Sequence, residues 1–288
     1  MMDDIVRLST ESSFSWMSVI WFVWHISAVV IAIIAKTSDM YILLIILMIQ
    51  RYLFPLFEED LNDYQVQCTN KSKNSTVSGL GYCSKAIYSG KYGIPKIKAY
   101  YDVIPDKFIT YSESSKSNEY SCGVSSFDDD FILDRVWRNA GKYIPIFSKF
   151  QCVCEPDFSL KLGYPLALQI SNKFKNHALA FYMQDCGLKV MPTISWSSTD
   201  SFDFCFDGYE KGGAVIVSTI GTLKDERSSL FFKLGFEEMI KRISPDAVVI
   251  YGDKSEHLIN WMPKQLQISF VSHNRYLRAR NHGRKRII

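Results

Sequence analysis

The chain has 288 residues, 47% hydrophobic and 14% aromatic, which is sufficient for a packed core and excludes an intrinsically disordered protein. Its 33 basic and 30 acidic residues give a formal net charge of +3, so the chain as a whole is not a polycation that coats nucleic acid. Seven cysteines without a Cys-x-x-Cys pair indicate reduced thiols in a cytoplasmic domain and no firm metal site.

The N-terminal segment 14–35 is predicted to be a membrane-spanning helix. It has 18 apolar residues among 22 and no charge. As a helix it would be about 33 Å long, which is enough to cross the hydrocarbon core of a bilayer. A secretory signal is one alternative, but its apolar region is normally shorter and follows a basic start. A buried helical hairpin in a soluble core is another.

A second apolar segment, 40–57, has Arg51 as its only charge and predicts a weaker span. Residues 1–57 together predict a transmembrane helical hairpin that places the N-terminus and the C-terminal domain on the same side of the membrane. The free cysteines favour the cytoplasmic side. Segment 58–87 is polar, rich in Ser and Asn and without periodicity, and it therefore predicts a linker.

Residues 88–274 predict an α/β domain, because short β-branched runs alternate there with helical periods. Alternation of strand and helix indicates parallel pairing and a (β/α) barrel-like or doubly wound sheet, of which we favour the barrel. Helices are predicted over 129–147, 165–187 and 226–244. Strands are predicted over 107–111, 122–127, 151–155, 188–194, 213–219, 247–251 and 266–271.

The segment 195–212 is longer than a hairpin turn requires, and it contains phenylalanines at alternate positions. We predict a short helix there, with an added edge strand as the alternative. Ser197 and Asp200 resemble a capping box, and Gly208 is suited to end the helix.

Polar side chains follow the predicted strands at their carboxyl ends, where parallel α/β folds bind ligands. Carboxylate and hydroxyl oxygens there could hold Mg²⁺ and a phosphate-bearing ligand, and the indole could stack a base or sugar. The structural alternatives are that the aspartates cap the following helix and that the indole closes the barrel mouth. The ligand-binding candidates are Asp128, Asp129, Glu155, Asp157, Ser195, Trp196, Ser218, Thr219 and Tyr251.

The C-terminal segment 275–288 is a basic tail without acidic residues. Its cations can contact nucleic-acid phosphates or anionic lipid, and a solubilising tail is the alternative. They are Arg275, Arg278, Arg280, Arg284, Lys285 and Arg286.

An ordered series of motifs, including "DDDFILDRVW", "CEPDFSL", "SFDFCFDG", "VIVSTIG" and "EEMIKRISPDAVVIYG", resembles the family called domain of unknown function 4417. The resemblance covers roughly residues 90–272 and implies a protein encoded by a phage, plasmid or other mobile element of bacteria. It assigns no reaction and no catalytic residue. The apolar segments lie outside it, so either this chain has acquired an anchor or its start was chosen too early.

These observations predict a protein in the bacterial host cell membrane, with its C-terminal domain in the cytoplasm. That domain is expected to bind a nucleotide or nucleic acid. A metal-dependent enzyme acting on a phosphate ester and a non-enzymatic host-interaction protein are the alternatives.

Overall fold

The computed structural model describes residues 64–65, 79–252 and 260–272. The predicted spans 14–35 and 40–57 and the basic tail 275–288 lie outside these residues. Within the described ranges, no helix combines the length and apolarity needed to cross a bilayer.

A small antiparallel sheet precedes the predicted strands. It contains β1 (Tyr64–Gln65), β2 (Ile87–Ser89) and β3 (Ile94–Pro95), in that order. Cys83 and Ala86 just before β2 are buried, at 0% and 1% exposure. Residues 79–87 of the predicted linker therefore contribute to the packed domain.

Seven parallel strands form the centre of the domain, and each lies inside a segment predicted as a strand. β4 to β7 form one sheet and β8 to β10 another, each with neighbours in chain order. A parallel bridge between Thr193 and Ile216 connects the two sheets, with Ile194 N donating to Ile216 O at 2.9 Å. The strands are β4 (Phe108–Thr110), β5 (Gly123–Ser125), β6 (Cys152–Cys154), β7 (Val190–Met191), β8 (Ala214–Ser218), β9 (Ala247–Tyr251) and β10 (Gln267–Val271).

The three long predicted helical segments are helical, with one break, and a short helix after β4, Tyr111–Ser114, was not predicted. The predicted helix 129–147 is two helices, because the backbone of Asn139 leaves the helical region at φ −152°. Asp225 caps the last helix by accepting a hydrogen bond from Ser228 N at 2.7 Å. The helices are α1 (Tyr111–Ser114), α2 (Asp130–Arg138), α3 (Ala140–Phe147), α4 (Leu166–Asp185) and α5 (Glu226–Ile243).

The segment 195–212 contains a short 3₁₀ helix, Thr199–Asp203, and not an edge strand. The predicted capping box is wrong: Ser198 occupies the N-cap position, and the Ser197 hydroxyl instead donates to Gln169 Oε1 at 2.5 Å. Gly208 follows the helix with φ +77°, a conformation that glycine adopts without strain.

Side chains alternate along the strands and so build apolar clusters on both faces. On one face, residues from both parallel sheets share a single cluster that includes Cys154, Ile216 and Val249. On the other face, Val153 packs in the cluster under α2 to α4, and Val215 packs in the cluster under α5. The predicted mixed α/β fold with parallel strands is thereby confirmed, and all strands from β4 to β10 end toward the same rim.

Candidate functional site

A cavity of about 760 Å³ lies at the carboxyl ends of β5 to β8. The loops that follow these four strands and the first turns of α5 form its walls. This volume is in the range that small-molecule sites occupy in proteins. The cavity is thus at the place where parallel α/β folds present their ligand-binding loops.

Six of the nine predicted ligand-binding candidates line this cavity, and three do not. The six are Asp128, Asp129, Asp157, Ser195, Trp196 and Ser218. The other three, Glu155, Thr219 and Tyr251, are buried beside it.

The two neighbouring aspartates at the cavity have different environments. Asp128 accepts hydrogen bonds from the N–H and hydroxyl of Ser112, at 2.8 and 3.0 Å, and so ties its loop to α1. Asp129 is exposed at the N-cap of α2 but accepts no capping hydrogen bond there. Asp129 thus takes the N-cap position without a capping hydrogen bond from its side chain, whereas Asp128 contacts α1.

The predicted carboxylates do not converge on one point. Within the described ranges, no group of three or more His, Cys, Asp or Glu side chains is arranged to hold a metal ion. The Mg²⁺ site considered from the sequence therefore has no ligand cluster among these residues.

Asp157 and Ser195 each bring a buried oxygen to the cavity wall. Asp157 Oδ1 and Ser195 Oγ have no hydrogen-bond partner of good geometry among the described residues. Burial raises the pKa of Asp157 to about 6, although the nearby Ser195 hydroxyl and Lys173 oppose this shift. Unsatisfied buried oxygens cost free energy, and a bound ligand can remove that cost by donating to them.

Trp196 forms part of the apolar wall. Its Nε1 donates to the carbonyl of Phe231 at 2.9 Å, and its ring lies 5.4 Å from that of Phe232. Gly235 permits this packing, because a Cβ there would lie 2.1 Å from Trp196 Nε1. The indole is thus fixed against α5.

Two lysines and several hydroxyls on the cavity wall were not predicted as site residues. Lys161 is in the loop after β6, and Lys224 is in the loop after β8. The hydroxyl residues are Ser197, Thr222 and Ser228. The sequence indicated these residues as site residues only through their positions in loops that follow predicted strands. The loops match no phosphate-binding motif.

Thr219 and Tyr251 have structural roles. Thr219 N donates to the carbonyl of Tyr251 at 3.0 Å, which continues the pairing of β8 with β9. The Tyr251 ring packs against Phe127 at 4.7 Å and belongs to the cluster shared by both parallel sheets.

Directly behind the cavity wall is a cluster of buried polar side chains, which we call the buried cluster: Glu155, Lys173, His177, Thr193 and Tyr209. Glu155 Oε2 accepts hydrogen bonds from Thr193 N and from the Tyr209 hydroxyl, both at 3.0 Å. Lys173 donates to the same hydroxyl oxygen of Tyr209. Glu155 Oε1 lies 3.9 Å from Lys173 Nζ and 3.4 Å from His177 Nε2.

Two atoms of the buried cluster, Glu155 Oε1 and His177 Nε2, have no hydrogen-bond partner within the described ranges. His177 Nδ1 lies 2.7 Å from the carbonyl oxygen of Pro95, so Nδ1 carries a proton and Nε2 is an acceptor. Burial is the main cause that holds the pKa of His177 well below its usual value, and the positive charge of Lys173 lowers it further. Burial raises the pKa of Glu155 to about 7, against the opposing effect of Lys173. Glu155 Oε1 thus donates to His177 Nε2 when the carboxyl is protonated, and the ionised carboxylate pairs with Lys173.

The buried cluster also joins the strand ends that carry cavity residues. The carbonyl of Glu155 accepts hydrogen bonds from the hydroxyls of Ser126, at 2.5 Å, and Thr193, at 2.8 Å. Ser126, Glu155 and Thr193 follow β5, β6 and β7, which are neighbours in the sheet. Two residues after each of them come Asp128, Asp157 and Ser195, which all line the cavity. The cluster thus fixes three loops relative to one another.

The family described as "Domain of unknown function (DUF4417)" matches residues 86–272. The chain is 32% identical over 126 residues to the "Gene 1 protein" of Mycobacterium phage D29, and the aligned region covers 44% of this chain and 47% of the relative. It is 28% identical over 168 residues to the "Gene 1 protein" of Mycobacterium phage L5, and the aligned region covers 57% of this chain and 72% of the relative. The chain therefore spans about half the length of the D29 protein. No solved structure matches it significantly.

Proposed function

The chain belongs to the family described as "Domain of unknown function (DUF4417)", whose matched relatives are phage proteins, and we propose that its α/β domain binds a nucleotide in the cavity. The observation that carries this proposal is the composition of the cavity wall. Lys161 and Lys224 lie on it together with the hydroxyls of Ser197, Thr222 and Ser228. The two ammonium groups are suited to bind phosphate oxygens, whereas the hydroxyls of Ser197, Thr222 and Ser228 already donate to Gln169, the Thr219 carbonyl and Asp225.

The apolar part of the wall suits the remainder of a nucleotide. Trp196, Phe231 and Phe232 form one side of the cavity, and Ile194 and Val217 also line it. An aromatic and aliphatic surface can cover the face of a base, whereas a bare phosphate needs no such surface.

The position of the cavity in the fold also supports the proposal that it binds a ligand. We propose that β4 to β10 form a barrel-like sheet, because their order follows the chain, whereas a doubly wound sheet reverses its order at a switch point. The cluster shared by Cys154, Ile216 and Val249 supports the same arrangement. Ligands of barrel folds bind at the carboxyl ends of the strands, where this cavity lies.

Nucleotide binding can be tested by isothermal titration calorimetry on the full chain in detergent, with ATP, GTP and inorganic tripolyphosphate. We expect the double change Lys161→Gln and Lys224→Gln to weaken nucleotide and tripolyphosphate binding about tenfold or more. Lys189→Gln is the matched control, because Lys189 precedes β7 at the opposite end of the strands and pairs with Asp102 at 2.6 Å. Absence of binding to the unsubstituted chain, or equal effects of the double change and the control, would overturn the proposal.

We also propose that residues 14–57 anchor the protein in the membrane of the bacterial host, with the α/β domain in the cytoplasm. The support is the uncharged apolar sequence of segment 14–35. The basic tail 275–288 would then lie close to anionic lipid headgroups or to nucleic acid, and its six cations can contact either.

A further inference from the structure

We infer that Asp157 and Ser195 hold the sugar diol of the bound nucleotide, so that the cavity selects ribonucleotides over nucleotides that lack these hydroxyls. This inference rests on the proposed nucleotide binding and specifies which part of the ligand each group would contact. It starts from two buried oxygens, Asp157 Oδ1 and Ser195 Oγ, that form no hydrogen bond of good geometry in the described part of the chain, and the Ser195 hydroxyl lies close enough to the carboxyl to lower its pKa.

The two oxygens belong to neighbouring strand ends. Asp157 follows β6 and Ser195 follows β7, which pair in parallel through Val153 with Val190 and Cys154 with Met191. Both residues line the cavity. The carboxyl torsion χ2 is broad and two-fold and the serine hydroxyl rotates freely, so both groups can turn toward a ligand without a change in the backbone.

A vicinal diol matches the hydrogen-bonding capacity of this pair. An ionised carboxylate accepts only, whereas a serine hydroxyl both donates and accepts. Each hydroxyl of a diol can likewise donate and accept, so one can donate to Asp157 while the other exchanges a hydrogen bond with Ser195. A phosphate group does not match, because its oxygens would repel the Asp157 carboxylate.

Other groups on the cavity wall fit the remaining parts of the ligand. Lys161 is in the same loop as Asp157, four residues later, and offers the positive charge that a phosphate requires. Trp196 follows Ser195 directly and contributes apolar wall for a base. The sugar binding groups therefore lie in sequence beside both the phosphate binding lysine and the apolar surface.

The buried cluster holds the pair in place. Thr193, two residues before Ser195, donates from its N–H to Glu155 Oε2 at 3.0 Å and from its hydroxyl to the Glu155 carbonyl at 2.8 Å. Glu155 is itself two residues before Asp157. Asp157 and Ser195 are thus attached to a rigid support, and a preformed site loses less conformational entropy when the ligand binds.

The test compares three ligands on the full chain in detergent by calorimetry: a ribonucleoside triphosphate, its 2′,3′-dideoxy analogue, and inorganic tripolyphosphate. We expect the unsubstituted chain to bind the ribonucleotide at least about tenfold more tightly than the dideoxy analogue. Asp157→Asn and Ser195→Ala should each remove most of that difference without weakening tripolyphosphate binding. Asp185→Asn is the matched control, because Asp185 is a partly exposed carboxylate that does not line the cavity and pairs with Lys85 at 3.0 Å, and this change should preserve the preference.

Each result has a distinct meaning. Equal binding of the ribonucleotide and the dideoxy analogue by the unsubstituted chain would overturn the diol assignment while nucleotide binding stands. A loss of affinity for both nucleotides on Asp157→Asn would also overturn it and would place the base at Asp157. Failure of all three ligands to bind the unsubstituted chain would overturn the proposed function itself.

Discussion

Glu155 and Lys173 form an ion pair that has no contact with solvent: Oε1 and Nζ are 3.9 Å apart, and both side chains are 0% exposed. The pair joins the end of β6 to the middle of α4. Burial lowers the pKa of Lys173 and raises that of Glu155, while each group stabilises the charge of the other. The rim of the sheet therefore depends on a polar interaction inside the core.

We predict that Glu155→Gln and Lys173→Met each destabilise the domain by roughly 3–5 kcal/mol, because either change leaves a buried group without its partner. The double variant should be more stable than the sum of the two losses implies. Chemical denaturation of the four proteins measures this coupling. The exposed pair Lys85–Asp185, at 3.0 Å with side chains 73% and 42% exposed, is the control and should contribute about 1 kcal/mol or less. Additive losses at Glu155 and Lys173 would show that the pair does not act as a unit.

The raised pKa of Asp157 predicts a specific dependence of stability on pH. The carboxyl has a pKa of about 6 in the folded chain and a lower value when unfolded, so the folded state holds its proton more tightly. Its contribution to stability is complete below the unfolded pKa of about 3.9 and is lost as the pH rises through about 6. Asp157→Asn should therefore gain stability relative to the unsubstituted chain, on the order of 1–3 kcal/mol, between pH 4 and pH 7.

Denaturation with urea at several pH values measures this difference. Glu155, whose pKa is about 7, titrates in both proteins, and because the Asp157 charge raises the Glu155 pKa, the difference reports Asp157 together with its effect on Glu155. A constant difference in unfolding free energy across the range would mean that Asp157 has an ordinary pKa.

Gly235 in α5 is predicted to resist replacement by alanine. Alanine normally stabilises a helix interior by about 1 kcal/mol relative to glycine. At this position, however, the added Cβ would lie 2.1 Å from Trp196 Nε1, which also donates to Phe231. We expect Gly235→Ala to lower the unfolding free energy by roughly 1–3 kcal/mol, measured by thermal or chemical denaturation.

Gly141→Ala is the control for that change. Gly141 is in α3, and its added Cβ would meet only the Tyr182 hydroxyl, at 3.5 Å. This variant should be as stable as the unsubstituted chain or slightly more so. A stable Gly235→Ala variant would show that the indole can move away from α5.

Membrane anchoring by segment 14–35 predicts that the full chain stays in the membrane fraction during an alkaline wash. Replacing Val23 and Val30 in the first span and Leu44 and Leu47 in the second by lysine should release it, because each lysine inside a span costs about 3 kcal/mol on insertion. The same lysines placed in the polar segment 58–78 are the control and should not release the chain. Release of the unsubstituted protein would contradict the anchor.

The basic tail 275–288 predicts salt-dependent binding to duplex DNA or anionic vesicles. Removing it should weaken binding and flatten the dependence on salt, since each phosphate contact contributes about 0.9 to the slope of log K against log salt concentration. Filter binding at several salt concentrations measures the slope on DNA, and vesicles of phosphatidylserine test the lipid alternative. An unchanged slope in both assays would leave the tail as a solubilising segment.

Local patterns in the sequence determined most of the secondary structure. The seven parallel strands lie inside the predicted segments, because runs such as 213–219 and 247–251 combine β-branched residues with boundaries that are clear in the sequence. The position of the cavity followed as well, since the carboxyl ends of parallel strands meet at one rim. Asp157, Ser195 and Trp196 were correctly placed on that rim.

Only the tertiary structure decided which polar residues act together. Glu155 was predicted for the rim, but its side chain turns into the core, where it meets Lys173, His177 and Tyr209. Tyr209 follows Glu155 by 54 residues, and neither helical nor strand periodicity relates positions so far apart. Residues so far apart in the sequence become partners only when the folded chain packs their elements against each other. The sequence thus determined the strands and their rim, whereas the depth of each side chain depended on how α4 packs against the sheet.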